Sequence, residues 1–125
     1  METQRDLLTE LVIGAAIEVH RIMGPGLLES VYQQCMEEEL RLRNCPVEPQ
    51  FRIPLQYKGV PLGEDLKMDL FFPDRLVVEL KAVEKLIPVH EAQLLTYLRL
   101  SKTHVGLLIN FNVPILVSGL KRMVL

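Results

Sequence analysis

Leu66-Lys67-Met68-Asp69-Leu70-Phe71-Phe72-Pro73-Asp74-Arg75-Leu76-Val77-Val78-Glu79-Leu80-Lys81 alternates apolar and other side chains on both sides of a Pro73-Asp74-Arg75 break. Period-two alternation marks strands with one buried face, so two strands joined as a hairpin are expected. Leu66, Met68, Leu70 and Phe72 share one face of the first strand, and Lys67 and Asp69 share the other. On the second strand Leu76, Val78, Leu80 and Ala82 oppose Val77, Glu79 and Lys81. With Pro73-Asp74-Arg75 as the loop, Phe72 pairs with Leu76, Asp69 falls opposite Glu79, and Lys67 opposite Lys81. Any odd loop length keeps the two acids on one face. An even loop would slide the register and send the apolar sets to opposite faces, which a one-sided core disfavours.

Working outward, Phe51, Ile53, Leu55 and Tyr57 alternate in the same way before a Lys58-Gly59 turn, giving a three-strand antiparallel meander. Ahead of the meander, Leu7, Leu8, Leu11, Val12, Ala15, Ala16 and Val19 recur at helical spacing, which predicts a helix over residues 3–23 that Gly24-Pro25-Gly26 stops. A second helix is expected over 28–43, with Val31, Cys35, Met36 and Leu40 on one face, and a loop over 44–49. Glu37-Glu38-Glu39 reads as a solvated face. After the meander, Pro88 suits the first turn of a helix over 88–100, with Leu94, Leu95 and Leu98 as core. The apolar run 105–111 suggests a strand covered on both faces, and a last strand is expected within 116–125. A strand–helix–strand crossover would place 105–111 parallel to its neighbour. The expected architecture is α/β: one domain over 1–125, with a mixed central sheet flanked by helices.

Asp69 and Glu79 facing each other repel unless something neutralises them. A divalent cation does so, and oxygen-only ligands suit Mg²⁺ or Mn²⁺. Lys81, two residues beyond Glu79 on the same face, could orient or help deprotonate an attacking water, or balance charge on a phosphate. The plainer alternative is a solvent face of mixed charges. Phe71, Val77 and Val83 argue against it, because they make this face partly covered. Two flanking groups supply matching polar residues. Gly26-Leu27-Leu28-Glu29-Ser30-Val31-Tyr32 has a G-x-x-E-x-x-Y pattern entering the second helix. There Glu29, taken alone, is a helix-start acid favoured by the dipole, and Tyr32 a core aromatic. Gln93 and Tyr97 lie one turn apart on the later helix, which a short connection brings back over the sheet. His90 reads as a first-turn polar residue.

Composition narrows the rest. With 125 residues, 49% hydrophobic and 24% charged, the chain can bury one core. No apolar run approaches the ~18–20 residues of a membrane span. The polar N-terminus lacks the pattern of a secretion signal, which points to a cytoplasmic protein. Cys35 and Cys45 are then expected as free thiols, and His20, His90 and His104 show no zinc spacing. A net charge of −2 and a pI near 5.9 exclude a protein that coats nucleic acid through bulk positive charge. A nucleic-acid substrate would need a local basic rim, a homodimer or a partner protein. Arg52, Lys58, Lys67, Arg99, Lys102, Lys121 and Arg122 are the candidates for phosphate contacts, each also an ordinary solubilising charge.

Together, Gly26-x-x-Glu29-x-x-Tyr32, Asp69, Glu79-Leu80-Lys81, Ala92-Gln93-x-x-x-Tyr97 and Gly106-Leu107-Leu108-Ile109-Asn110-Phe111 resemble the PD-(D/E)xK nuclease superfamily, and within it the small G-x-x-E-x-x-Y proteins. The resemblance runs from about Leu7 to Leu125. It implies a restriction-endonuclease-like core and a Mg²⁺- or Mn²⁺-dependent nuclease acting on DNA in preference to RNA. It implies metal binding by Asp69 and Glu79, with the Leu80 backbone carbonyl nearby and Glu29 as an auxiliary acid. Lys81 would be catalytic with Glu79, Asp69 and Gln93, and Tyr97 and Tyr32 would meet substrate. Met68 stands before Asp69 where the motif has proline, a position that supplies no ligand. The competing reading is a module that keeps the fold and binds nucleic acid or protein without catalysis, since fold alone does not establish function.

Overall fold

Asp6 sets where the first helix begins. In the computed structural model, which describes residues 6–125, its carboxylate accepts the Thr9 N–H at 3.2 Å and caps α1, Leu7–Met23. A capping residue keeps extended backbone and satisfies a free N–H of the first turn. The helix described therefore starts at Leu7, and the expected helical residues 3–5 lie outside the described residues. Leu8, Val12, Ala15, Ala16 and Val19 form its buried stripe, and Gly24 ends it with a φ of 70°. Helix α2, Glu29–Leu42, buries Tyr32, Met36 and Leu40.

Strand β1, Glu48–Tyr57, begins inside the stretch expected to be loop; as an edge strand it tolerates Pro49. Lys58 and Gly59 both take positive φ, the two-residue hairpin turn whose twist matches the strands. Because that turn is so tight, β2 runs the whole of Val60–Phe72 instead of beginning at Leu66. Then follow β3 (Leu76–Lys81), α3 (Pro88–Ser101) and β4 (Val105–Asn110). A 3-10 turn at Leu116–Gly119 precedes β5, Leu120–Val124, so the two share the last stretch. The sheet order is β1-β2-β3-β4-β5, with β3 and β4 parallel and the other pairs antiparallel. This is the expected α/β fold with a mixed sheet, consistent with a restriction-endonuclease-like core.

Two apolar layers hold the sheet. Val78, Leu80, Leu107 and Ile109 join α1 and α2 on one face, while Val77 and Leu108 join Leu94, Tyr97 and Leu98 of α3 on the other. Strand β2 departs from simple alternation. Leu70 and Phe72 belong to the α1–α2 layer, but Met68 belongs with α3. The expected single face for Leu66, Met68, Leu70 and Phe72 is thus corrected: β2 changes face at Asp69. Among the described residues, no helix is long and apolar enough to cross a membrane.

Candidate active site

The β2–β3 ladder consists of Leu70↔Val78, Phe71↔Val77 and Phe72↔Leu76, the register a three-residue loop dictates, and it stops there. Asp69 and Glu79 come next, and their carboxylates take over from the ladder. Glu79 Oε2 accepts the Asp69 N–H at 3.0 Å, and Asp69 Oδ2 accepts the Leu80 N–H at 2.8 Å. Buried backbone groups must find partners, and here the acids provide them. Lys67 does not pair with Lys81 as expected, because the ladder has ended. Lys67 lines a polar hollow with Glu29, Ser30, Gln33, Gln50 and Asp69 instead.

From α3, Gln93 Oε1 accepts from Lys81 Nζ at 3.1 Å. Pro88 starts α3 close to the end of β3, and its Leu94–Leu98 stripe seats it on the Val77 face, which brings Gln93 over Lys81. His90 Nδ1 accepts the Ile87 N–H at 3.0 Å, a first-turn role. Glu29 at the start of α2 completes the acidic set, acting electrostatically on Asp69 and Glu79.

Burial and mutual repulsion disfavour the ionised forms of these acids. Glu79 is 3% exposed, and burial followed by the Asp69 charge pushes its carboxyl up to about 9. Burial raises Asp69 as well, against the bond from Leu80. Glu29 is raised by burial and by Asp69, with Lys81 opposing. Burial and the two acids push the Tyr97 phenol up to about 12. Among the described residues, no Lys or Arg nitrogen comes within 4.0 Å of the Asp69 or Glu79 carboxylate.

These two acids, without a neighbouring cationic side chain, bear on whether a cation fits. Among the described residues, no three His, Cys, Asp or Glu side chains converge closely enough to hold a metal by themselves. Mg²⁺ does not require that, since one or two carboxylates with solvent and substrate phosphate oxygens suffice. An all-oxygen pair whose negative charges repel one another is a donor set a hard divalent cation can take.

The sequence model of the PD-(D/E)XK nuclease superfamily matches residues 6–123. The chain belongs to the PD-(D/E)XK nuclease superfamily. Members typically use divalent metals and act on nucleic acid. No curated protein and no solved structure matches the chain significantly. Within this superfamily member, Asp69, Glu79, Lys81, Gln93, Tyr97 and Glu29 gather at one end of the β2–β3 hairpin.

Tyr32 does not join them. It is wholly buried and stacked on Phe111 at 4.5 Å; its hydroxyl donates to Gly24 O at 2.6 Å and accepts from Leu27 N at 3.2 Å. It holds the turn that aims α2, away from the set around Asp69.

Three residues went unnoticed in the sequence. Gln33 donates to the Asp69 carbonyl at 2.9 Å, and Gln50 to Asp69 Oδ1 at 3.3 Å. Asn110, 2% exposed, bonds both backbone groups of Val83. Gln33 stands four residues after Glu29, on the same helical face. Asn110 is the one polar residue in a buried run. Those were usable signals; Gln50 had none.

Proposed function

We propose that this protein is a Mg²⁺- or Mn²⁺-dependent nuclease hydrolysing phosphodiester bonds in DNA before RNA, within the G-x-x-E-x-x-Y group of its superfamily. The observation that carries the reading is the meeting of half-buried Asp69 and buried Glu79 with the Lys81–Gln93 pair at the end of one hairpin. Asp69 and Glu79 hold the cation, with the Leu80 carbonyl nearby and Glu29 as a further acid. The bound cation supplies Lewis-acid stabilisation of the phosphate and a more acidic water.

Gln93 fixes the Lys81 ammonium, which faces the phosphate as negative charge builds on it. Tyr97, whose neutral form is favoured by burial and then by the acids near it, remains a hydrogen-bond donor to substrate. Water oxygen bonds to phosphorus, the P–O3′ bond breaks, and the departing oxygen takes a proton, leaving a 5′ phosphate and a 3′ hydroxyl. Lys67, beside Asp69, is the best placed of the candidate phosphate contacts. The net charge of −2 makes a homodimer or a partner protein a useful supplement in holding nucleic acid. We place the protein in the cytoplasm.

The test pairs cleavage with calorimetry. Wild type should bind Mn²⁺ and cut an oligonucleotide, and Asp69→Asn should lose both. Cleavage by both proteins at one rate would reveal a contaminant. Nucleic-acid binding with neither Mn²⁺ binding nor cleavage would establish the non-catalytic module.

A further inference from the structure

Gln50 has the backbone of a turn residue in the middle of a strand. Five described non-glycine residues have positive φ: Asn44, Gln50, Lys58, Asp74 and Lys102. Asn44 follows α2, Lys58 and Asp74 occupy hairpin turns, and Lys102 caps α3, where such angles are routine. Gln50, with a φ of 52°, lies inside β1. A residue bearing a Cβ pays for that conformation, and strain of this kind gathers at functional sites.

Its place in the register is specific. Pro49 pairs with Leu70 and Phe51 with Met68, so Gln50 and Asp69 fall together at the one unpaired step between these two ladder pairs. Its amide donates to Asp69 Oδ1 at 3.3 Å, while the Leu80 N–H holds Oδ2 at 2.8 Å. The Asp69 carboxylate is therefore gripped from β1 on one oxygen and from β3 on the other. At this same residue β2 changes face, with Met68 in one apolar layer and Leu70 in the other. A residue out of β conformation bends its strand locally and can re-aim a neighbouring side chain.

We infer that Gln50 is a positioning residue: its left-handed backbone carries the amide across to Asp69 and sets the orientation in which that carboxylate serves the reaction. The inference rests on the hydrolase reading above. Nothing in it requires Gln50 to touch substrate or metal.

Two variants separate the amide from the backbone. Gln50→Gly accepts the left-handed angle freely and removes the amide. Gln50→Asn keeps an amide in a residue tolerant of that angle. Thermal unfolding, Mn²⁺ affinity by calorimetry, and kcat and KM on an oligonucleotide are read for each. The expected result is that Gln50→Gly unfolds no earlier than wild type, loses roughly tenfold in kcat at unchanged KM, and binds Mn²⁺ more weakly. Gln50→Asn should recover part of both losses. Full kcat and Mn²⁺ affinity in Gln50→Gly overturn the proposal. So do losses that follow lost folding in both variants, because Gln50 then only shapes its strand. Wild type that neither binds Mn²⁺ nor cleaves overturns the hydrolase reading first, and this one with it.

Discussion

The Glu79 carboxylate accepts the backbone N–H of Asp69 from the facing strand, at 3.0 Å. Asp69 returns the arrangement through the Leu80 N–H at 2.8 Å. Each acid thus fills a place that a ladder carbonyl would occupy in a longer hairpin. The hairpin is knitted together by its most polar residues, and these are the groups the chemistry asks for. Substituting either acid consequently tests the fold as well as the reaction, and amides are better probes than alanine because their oxygen can still accept.

Glu79 gives the first prediction. Its folded pKa, near 9, lies above the ordinary 4.5, so the neutral form is favoured in the fold. Stability from that preference is complete below about pH 4.5 and is lost as pH rises toward 9. In metal-free protein, Glu79→Gln should therefore melt several degrees above wild type at pH 8, with the gap closing near pH 5. Mn²⁺ should raise the wild-type melting point at pH 8 and leave the variant's unmoved. A gap independent of pH would mean that Glu79 is ionised in the fold.

Lys81 and Gln93 should behave as a graded pair. Removing the ammonium in Lys81→Met should cost about a hundredfold or more in single-turnover cleavage, the usual scale for a proton-transfer or charge-balancing group. Gln93→Ala only unfixes the ammonium, so roughly tenfold is expected. Lys81→Arg should not restore the rate, since the planar guanidinium does not match the 3.1 Å contact to Gln93 Oε1. Lys81→Met with the wild-type rate removes the lysine from the mechanism.

Tyr32→Phe addresses a residue that belongs to the scaffold. The stacked ring on Phe111 remains, while the bonds to Gly24 and Leu27 are lost. Urea unfolding should show a loss of about 1–2 kcal/mol, with kcat per folded molecule unchanged. A selective rise in KM would return Tyr32 to the substrate.

How far the chain could be read in advance depended on periodicity. Leu76, Val78 and Leu80 alternate strictly, so the register, the parallel β3–β4 pair and the approach of Gln93 to Lys81 all follow from spacing. The face change at Asp69 does not, because Leu66, Met68, Leu70 and Phe72 alternate without a break in the sequence while Met68 and Leu70 join opposite layers. The burial of Tyr32 is hidden for a related reason. Its place in Gly26-x-x-Glu29-x-x-Tyr32 is the same whether the hydroxyl faces solvent or the Gly24 carbonyl, and only packing against Phe111 decides. Gln33 and Asn110 stand at positions the sequence marks, but their partners, backbone groups of Asp69 and Val83, are distant in sequence and only the fold reveals them.

Asn110 provides the last prediction. It pairs with Lys81 in the parallel ladder, and the Phe111 N–H donates to the Lys81 carbonyl at 2.9 Å. Two residues past Lys81, Val83 is clasped by the Asn110 side chain, its N–H at 3.0 Å and its carbonyl at 2.9 Å. The clasp fixes the direction in which the chain leaves β3 toward α3, and hence where Gln93 stands. Asn110→Leu leaves the Val83 N–H without its partner and its carbonyl with only the Asn112 amide at 3.4 Å, and a loss of about 2 kcal/mol in urea unfolding is expected. Asn110→Asp keeps the acceptor for the Val83 N–H but has no donor for its carbonyl, so its loss should be smaller. If the clasp also positions the Lys81–Gln93 pair, kcat measured well below the unfolding transition should fall about tenfold in Asn110→Leu. A stability loss with kcat intact would confine Asn110 to holding the scaffold.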